Sequence, residues 1–455
     1  MSAVLTSEPL AALVAERERV LNAFLEREQE QIARLCHDLA RAFARGGALI
    51  AHGSGGAATD AAHVAVEFMH PVIVGKRALP ALALANDPTG ATTPAAFGRP
   101  DDIALAIAHG PADASLREFL DGAGRQGMLT VALVGAGGAE APTADHVLVV
   151  ESGDPQIVQE VQETTYHVLW ELVHVFFEHP GLLDDACITC GDVAVAARVV
   201  SVGERSAVVE LDGAREEVAS DLVDAVVVGD MLLCHAGVAL ERLDAEEEPE
   251  APDPTAFLYP FLGREETDLD TVLADVRNST IAKGADVSAL RCELDLAAVQ
   301  SAAVAIGERL TAGARVLCFG NGGSATDTAD LASDLLTAGW PAVALNNDSA
   351  TISAVANDVG FDNVFSRQLI ALARHGDVAV GISTSGSSSN ILAALEEARR
   401  RGMLTCAIVG HDGGRIAQLD WLDHLFVVHS DYIPRVQEAQ ATIYHLLVSA
   451  IGGRR

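Results

Sequence analysis

The feature that most limits how this chain can fold is a long internal repeat. GSGGAATDAAHVAVEFM, from Gly53, returns as GNGGSATDTADLASDLL from Gly320. PALALANDP at Pro80 returns as PAVALNNDS at Pro341, and RQGMLTVALVG at Arg125 as RRGMLTCAIVG at Arg400. IVQEVQETTYH at Ile157 returns as RVQEAQATIYH at Arg435. Matched segments in the same order mean two copies of one folding unit. The second copy is the longer, chiefly through SATISAVANDVGFDNVFSRQLIALARHGD.

Each copy has the same coarse grammar. A long amphipathic helix opens it, Leu10 to Ala44 in the first and Asp268 to Ala312, with a break, in the second. A short apolar strand follows, GALIAHG or RVLCFG, then a Gly-rich turn into a helix, further short strands and a closing helix. Short apolar strands alternating with helices predict an α/β fold with a parallel sheet covered on both faces. The segment between the copies, Cys187 to Leu240, differs: it is Val-rich and alternating, with a tight-turn pair at Asp212-Gly213. That pattern predicts a small all-β barrel. AEEEPEAPDP, from Ala245, reads as an acidic, Pro-rich linker. The expected division is 1–182 for the first α/β copy, 183–244 for the barrel, 245–265 for the linker and 266–455 for the second copy.

Charge narrows the function. The chain of 455 residues has 64 acidic against 30 basic side chains, a net charge of −34. Such a chain presents no basic face to nucleic-acid phosphates or to an anionic membrane surface. The opening MSAVLTSEPLAALVAERERV lacks the basic and apolar regions of a secretory leader, and no apolar run reaches a membrane span. The seven cysteines are odd in number and scattered, which argues against a disulfide framework. The expected location is the cytoplasm.

The second copy carries two loops suited to an anion. GISTSGSSSN follows a strand and opens a helix, offering Ser383, Thr384, Ser385 and Ser388 beside helix-start N–H groups. GNGGS at Gly320 makes a second such turn. Ser-rich loops are often plain turns or caps, but two of them after buried strands point to a phosphate site. Together GNGGSATD, the NND turn, NDVGFDNVFSRQ, GISTSGSSSN and RVQE…H resemble the SIS (sugar isomerase) fold, and within it the sedoheptulose 7-phosphate (phosphoheptose) isomerases. The resemblance spans roughly Glu266 to Gly452 and, more weakly, Ala12 to Glu178. It implies a flavodoxin-like sheet, a phosphosugar ligand held by Asn321, Ser324, Ser383, Thr384, Ser385 and Ser388, and a homo-oligomer with sites between subunits.

The same resemblance implies a divalent metal such as Zn²⁺. The family pattern has His and Glu four apart on the helix after GNGGS, and Gln and His eight apart on the last helix. Those spacings keep each pair on one side of its helix. The first copy retains His63, Glu67, Gln159 and His167, but has AIAHGPADAS in place of the phosphate loop and Ala57 in place of the serine of GNGGS. The second copy retains the loop, Gln437 and His445, with Asp330 and Asp334 at the other two places. Carried over, the catalytic candidates are Glu67 and His167 in the first copy, Asp334 and His445 in the second. Either duplication freed both copies to decay into a scaffold, or one copy supplies metal and the other phosphate.

The middle segment, from CITCGDVAVAARVV to VGDMLLCHAGVALERL, resembles the HypC/HupF family of [NiFe]-hydrogenase maturation chaperones. This implies an iron–cyanide–carbonyl cargo handled at Cys187 and His235, with hydrogenase maturation proteins or the hydrogenase large subunit as partners. The family cysteine normally follows the initiator Met, whereas Cys187 is internal and begins Cys187-x-x-Cys190. A closed zinc site completed by Cys234 and His235 is the other reading. The sequence as a whole reads as a SIS–HypC-like–SIS fusion serving hydrogenase maturation. The alternatives are a phosphoheptose isomerase with an accessory barrel, and a phosphosugar-sensing adaptor without catalysis.

Overall fold

The computed structural model describes residues 7–71, 76–84, 96, 98–137, 141–183, 195–203, 206–211, 214–220, 223, 226–235, 238–243 and 268–454. Cys187, Cys190 and the linker at 245–265 lie outside these residues, and Cys234 and His235 are described in their backbone alone. The chain forms two compact units: the two α/β copies share one, and the middle strands belong to the other.

The first copy begins with α1 (Ser7–Ala44), then β1 (Leu49–Gly53), α2 (Ala58–Met69), β2 (Ala81–Ala83), β3 (Ile103–Ala108), α3 (Ala114–Arg125), β4 (Leu129–Gly135), β5 (His146–Val150) and α4 (Pro155–Phe177). Its five strands are parallel in the order β2-β1-β3-β4-β5. This is the flavodoxin-type order, and its switch point lies between β1 and β3, whose chains leave in opposite directions. All residues of β1 and β3 are buried, as expected for strands covered on both faces.

The middle unit has β6 (Val195–Val202), β7 (Ser206–Leu211), β8 (Ala214–Ala219), β9 (Met231–His235) and β10 (Val238–Leu243). Antiparallel pairing runs β8-β7-β6-β9-β10, and β10 meets β8 through Val238 and Ala219. Ala197, Val199, Ala207, Val209, Val218, Leu232 and Ala239 fill its interior. Leu211 pairs with Ala214 around Asp212-Gly213, which lie outside the described residues.

The second copy contains α5 (Leu269–Cys292), α6 (Leu296–Thr311), β11 (Val316–Phe319), α7 (Gly323–Thr337), β12 (Ala342–Ala344), α8 (Ser349–Val359), α9 (Val364–Leu372), β13 (Val378–Ser383), α10 (Ser389–Arg400), β14 (Leu404–Gly410), β15 (His424–Val428) and α11 (Ile433–Ile451). The sheet repeats the first, parallel throughout in the order β12-β11-β13-β14-β15. The extra sequence of this copy supplies α8 and α9. Asp348 caps α8 by accepting from the N–H groups of Ala350 and Thr351, at 3.1 Å each.

The copies are knitted together. Leu10 and Val14 of α1 sit in the core of the second sheet beside Ile306, Leu331, Val380 and Tyr444. At Gly284 of α5, a Cβ would lie 2.3 Å from Leu25 Cδ1, so α5 packs closely on α1 here and a larger residue would have to displace the end of Leu25. Between the sheets run α4 and α11, buried continuously over residues 157–176 and 434–448. A helix buried on every side would ordinarily be apolar throughout. These two carry Gln, Glu, Thr and His, and burial obliges each polar group to find a partner. Glu160 meets His445, and His167 meets Glu438, so the helices run antiparallel.

Candidate functional site

Helix α2 presents His63 and Glu67 one turn apart, both 2 % exposed. His63 Nε2 lies 3.6 Å from Glu67 Oε1 and 3.1 Å from the amide nitrogen of Gln437, which donates to it. That leaves Nδ1–H to donate to Tyr166 Oη at 3.0 Å, so the Nε2 lone pair faces inward. The His167 ring stands edge-on to His63, centroids 5.3 Å apart. His167 Nδ1 donates to Glu438 Oε1 at 2.9 Å, which fixes the tautomer with a free lone pair on Nε2. Glu438 is ion-paired to Arg435, which also reaches Glu171 at 3.1 Å.

The structure regroups the residues expected to act together. The glutamine beside His63 is Gln437 of the second copy. Gln159 instead accepts from His445 Nε2 at 3.2 Å. Antiparallel α4 and α11 explain the exchange, because the start of each helix lies beside the end of the other. Of the residues expected in the sets His63/Glu67/Gln159/His167 and Asp330/Asp334/Gln437/His445, Gln437 thus lies with His63, and Gln159 with His445, which is 3.7 Å from Asp334.

The two sets differ in how they are satisfied. In the second, Asp334 accepts from Gln156 Nε2 at 2.7 Å, Asp330 accepts from Thr59, and His445 is held by Glu160 at 2.8 Å. In the first, Glu67 Oε2, His167 Nε2 and Gln437 Oε1 are buried with no hydrogen-bond partner, as is Oε1 of nearby Glu163. An unpartnered buried polar atom costs about 1–3 kcal/mol. These unpartnered atoms, with the two imidazoles of His63 and His167 and buried carboxylates beside them, fit a divalent metal ion.

Charge separates the two sets further. Burial and the carboxylates of Asp60, Asp327 and Asp334 push Asp330 well above the usual range, against the Thr59 hydrogen bond. Burial together with Asp327, Glu438 and Asp60 does the same to Glu163. Burial opposes ionisation at Glu67 too, but the neighbouring imidazoles of His63 and His167 hold it low. Glu160 also stays low despite burial, through Arg17 and Arg291.

The phosphate-loop residues come together at the second sheet's switch point, outside the ends of β11 and β13. Asn321 and Asn390 exchange reciprocal hydrogen bonds of 2.9 Å, and Ser383 Oγ lies 3.3 Å from Ser388 Oγ. Ser388 is the N-cap of α10 and makes no capping bond, while Thr384 is half-buried and Ser385 exposed. The buried Ser324 follows Gly323, where a Cβ would fall 2.0 Å from Gln437 Nε2 and 2.5 Å from His63 Nε2. One turn along α11 from Gln437, Gln440 donates to the carbonyls of Ile408, at 3.2 Å, and Ser383, at 3.5 Å. The GNGGS turn of the second copy thus adjoins His63 of the first copy and Gln437 beside it.

The first copy fills the matching place itself. Its α3 is capped by Asp113, which occupies the position of Ser388, accepts from Leu116 N at 2.8 Å and from Ser54 Oγ at 2.7 Å. A carboxylate there takes the donors a phosphate would need and repels it. Sequence reading missed Asp113, the crossing of the glutamines, and Glu163. The repeat held the last signal: Glu163 aligns with Ala441 and lies one turn from His167. Cys187 lies outside the described residues, as does the side chain of His235.

Paired doubly wound halves with polar helices between them define a protein of the sugar-isomerase fold class. The SIS domain model matches residues 14–135 and again 287–410, more than half the chain, and the chain belongs to that family. Between them, the HupF/HypC family model matches residues 193–252. The phosphoheptose isomerase of Thermodesulfovibrio yellowstonii is 37% identical over 163 residues, 34% of this chain and 80% of that protein. That of Geotalea daltonii is 44% identical over 155 residues, 33% of this chain and 80% of that protein. The C-terminal domain of glucosamine-fructose-6-phosphate aminotransferase from Francisella tularensis matches 96% of this chain and 93% of its own, with TM-score 0.53 and 9% identity, a likeness of fold alone. Among the described residues no helix is long and apolar enough to cross a membrane.

Proposed function

We propose that the chain is a phosphosugar aldose–ketose isomerase with one composite site, fused to a HypC-type barrel that serves hydrogenase maturation. The carrying observation is the set of unpartnered buried ligand atoms on Glu67, His167 and Gln437 beside the second copy's GNGGS loop. One copy offers metal ligands, the other an anion site. His63, His167 and Gln437, with a buried carboxylate beside them, would hold a divalent ion, which would supply Lewis acidity at the sugar carbonyl. The donors at the start of α10, with Ser383, Thr384, Ser385, Ser388, Asn321 and Ser324, would hold the phosphate and orient the chain of the sugar. Glu67 takes the proton from the carbon beside the carbonyl and returns it to the former carbonyl carbon. The oxygen-bound proton passes between the two neighbouring oxygens of the sugar, so nothing is consumed. Sedoheptulose 7-phosphate is the substrate that the likeness to phosphoheptose isomerases favours. Following its interconversion with an aldose by NMR tests the proposal; no turnover with that or any related ketose or aldose phosphate, in metal-loaded protein, would sink it.

The family match over residues 193–252 supports the barrel's part. Cys187 and His235 would bind the iron–cyanide–carbonyl cargo passed among hydrogenase maturation proteins. Anaerobic protein co-expressed with those partners should carry infrared cyanide and carbonyl bands that Cys187→Ala removes. Bands and maturation unchanged in that variant would leave the barrel a contact module.

A further inference from the structure

Glu163 is the buried group that the reading above leaves without work. It lies on α4 one turn before His167, is 2 % exposed, and its Oε1 has no hydrogen-bond partner. The second copy has Ala441 at the same place, so the fold does not need a carboxylate there. Among the described residues, the cluster whose ligand atoms all lie within 4.8 Å of one another is His63, Glu163 and His167; Glu67 is not in it. Two imidazoles and one carboxylate form a familiar divalent-metal set, with further positions left for Gln437 and for an oxygen of the substrate.

We infer that Glu163, rather than Glu67, is the carboxylate ligand of the metal site, and that Glu67 is thereby left free to move the carbon-bound proton. A carboxylate bound to a cation is a poor base, because the cation holds the lone pair that must accept the proton. A site that asks one residue both to ligate and to abstract weakens both tasks. Here the copy that keeps His63 and Glu67 also supplies a second buried carboxylate one turn from His167. The inference rests on the metal-site reading of the proposed function.

The test uses the full chain, stripped by chelator and titrated with Zn²⁺ against a competing chromophoric chelator, then with Co²⁺ to record ligand-field bands. Glu163→Gln should lower Zn²⁺ affinity by about 100-fold or more and change the Co²⁺ spectrum, since even supporting residues of metal sites are worth about 10–100-fold. Glu67→Gln should hold Zn²⁺ within about threefold of the parent while losing turnover. Glu163→Ala, which copies the second half's own residue, guards against a fold defect in the amide variant, and should lose the metal equally. Unchanged affinity in both Glu163 variants overturns the inference while the metal site stands. Equal loss of metal in Glu67→Gln also overturns it. A parent protein that takes up neither Zn²⁺ nor Co²⁺ overturns the metal reading itself, and the inference with it.

Discussion

His167 of the first copy and Glu438 of the second share a hydrogen bond of 2.9 Å between two wholly buried side chains. Its counterpart joins His445 to Glu160 at 2.8 Å. Each copy therefore positions the other's imidazole, and neither site can be assembled from one copy alone. Glu438→Ala should leave Arg435 with Glu171 as its remaining acidic partner and free the His167 ring. Breaking a buried ion pair in this way costs about 3–5 kcal/mol. A thermal melt with metal analysis checks it: both the midpoint and the bound metal should fall, and a drop in neither would mean that the bond is incidental.

The two sets of polar residues should be unequal in catalysis. Glu67→Gln removes the proposed proton carrier and should reduce isomerisation by about 10²–10⁴-fold. Asp334→Asn changes a group already engaged by Gln156 and should reduce it less than tenfold. Side-by-side turnover rates decide; equal losses would mean that both sets are active.

Phosphate recognition should follow the caps of α3 and α10. Ser388→Asp gives α10 the cap that Asp113 gives α3, and places a negative charge where the phosphate would sit. A sugar phosphate that raises the melting temperature of the parent should leave this variant's unchanged. A retained shift would move the anion site elsewhere.

Gly323 is a finer probe of the same place. Gly323→Ala puts a methyl group where the Gln437 amide and His63 Nε2 now stand. Alanine is a good helix former at the start of α7, so the fold should tolerate it. Metal affinity should drop at least tenfold with little change in melting temperature, measured by chelator competition and calorimetry.

Stability should depend on pH in two opposite ways. The folded state holds the proton of Asp330 above its unfolded value of about 3.9, so this group destabilises increasingly as pH rises from there toward its folded value. Asp330→Asn should accordingly raise the melting temperature at pH 7 and do little near pH 4. Glu160 is the reverse case. Its pKa is lowered in the fold, so its contribution is present above about pH 4.3 and disappears as pH falls through the folded value. Melting curves of the parent, Asp330→Asn and Glu160→Gln between pH 3 and pH 8 would separate the two.

The sequence made some of this legible and could not supply the rest. Strand-and-helix alternation and the repeat suffice for two parallel sheets, because β3 and β11 are apolar along their whole length. His63, Glu67 and His167 could be picked out through the resemblance to the phosphoheptose isomerases, whose pattern they match, and helical periodicity adds that His63 and Glu67 share a face. The exchange of Gln159 and Gln437 could not, because spacing says nothing about the direction in which two distant helices pass. Asp113 was hidden among the residues of a loop that had simply lost its serines. Its role depends on meeting Ser54, 59 positions away. Arg17 and Arg291 likewise read as ordinary helix charges until Glu160 is seen between them.

Joining the halves in one chain has a consequence at the midpoint of α4 and α11. The pairs Glu160–His445 and His167–Glu438 bracket Glu163 on one helix and Ala441 on the other. A dimer of identical chains must place the same residue on both sides of its axis, and a glutamate here would then face another glutamate in a space already crowded with acid. Covalent linkage removes that obligation. Each side of the axis can vary independently, so one copy can carry a bulky charge at the place where the other carries a methyl group. Freedom of this kind lets a duplicated protein try ligand sets that a dimer of identical chains would have to adopt twice or not at all.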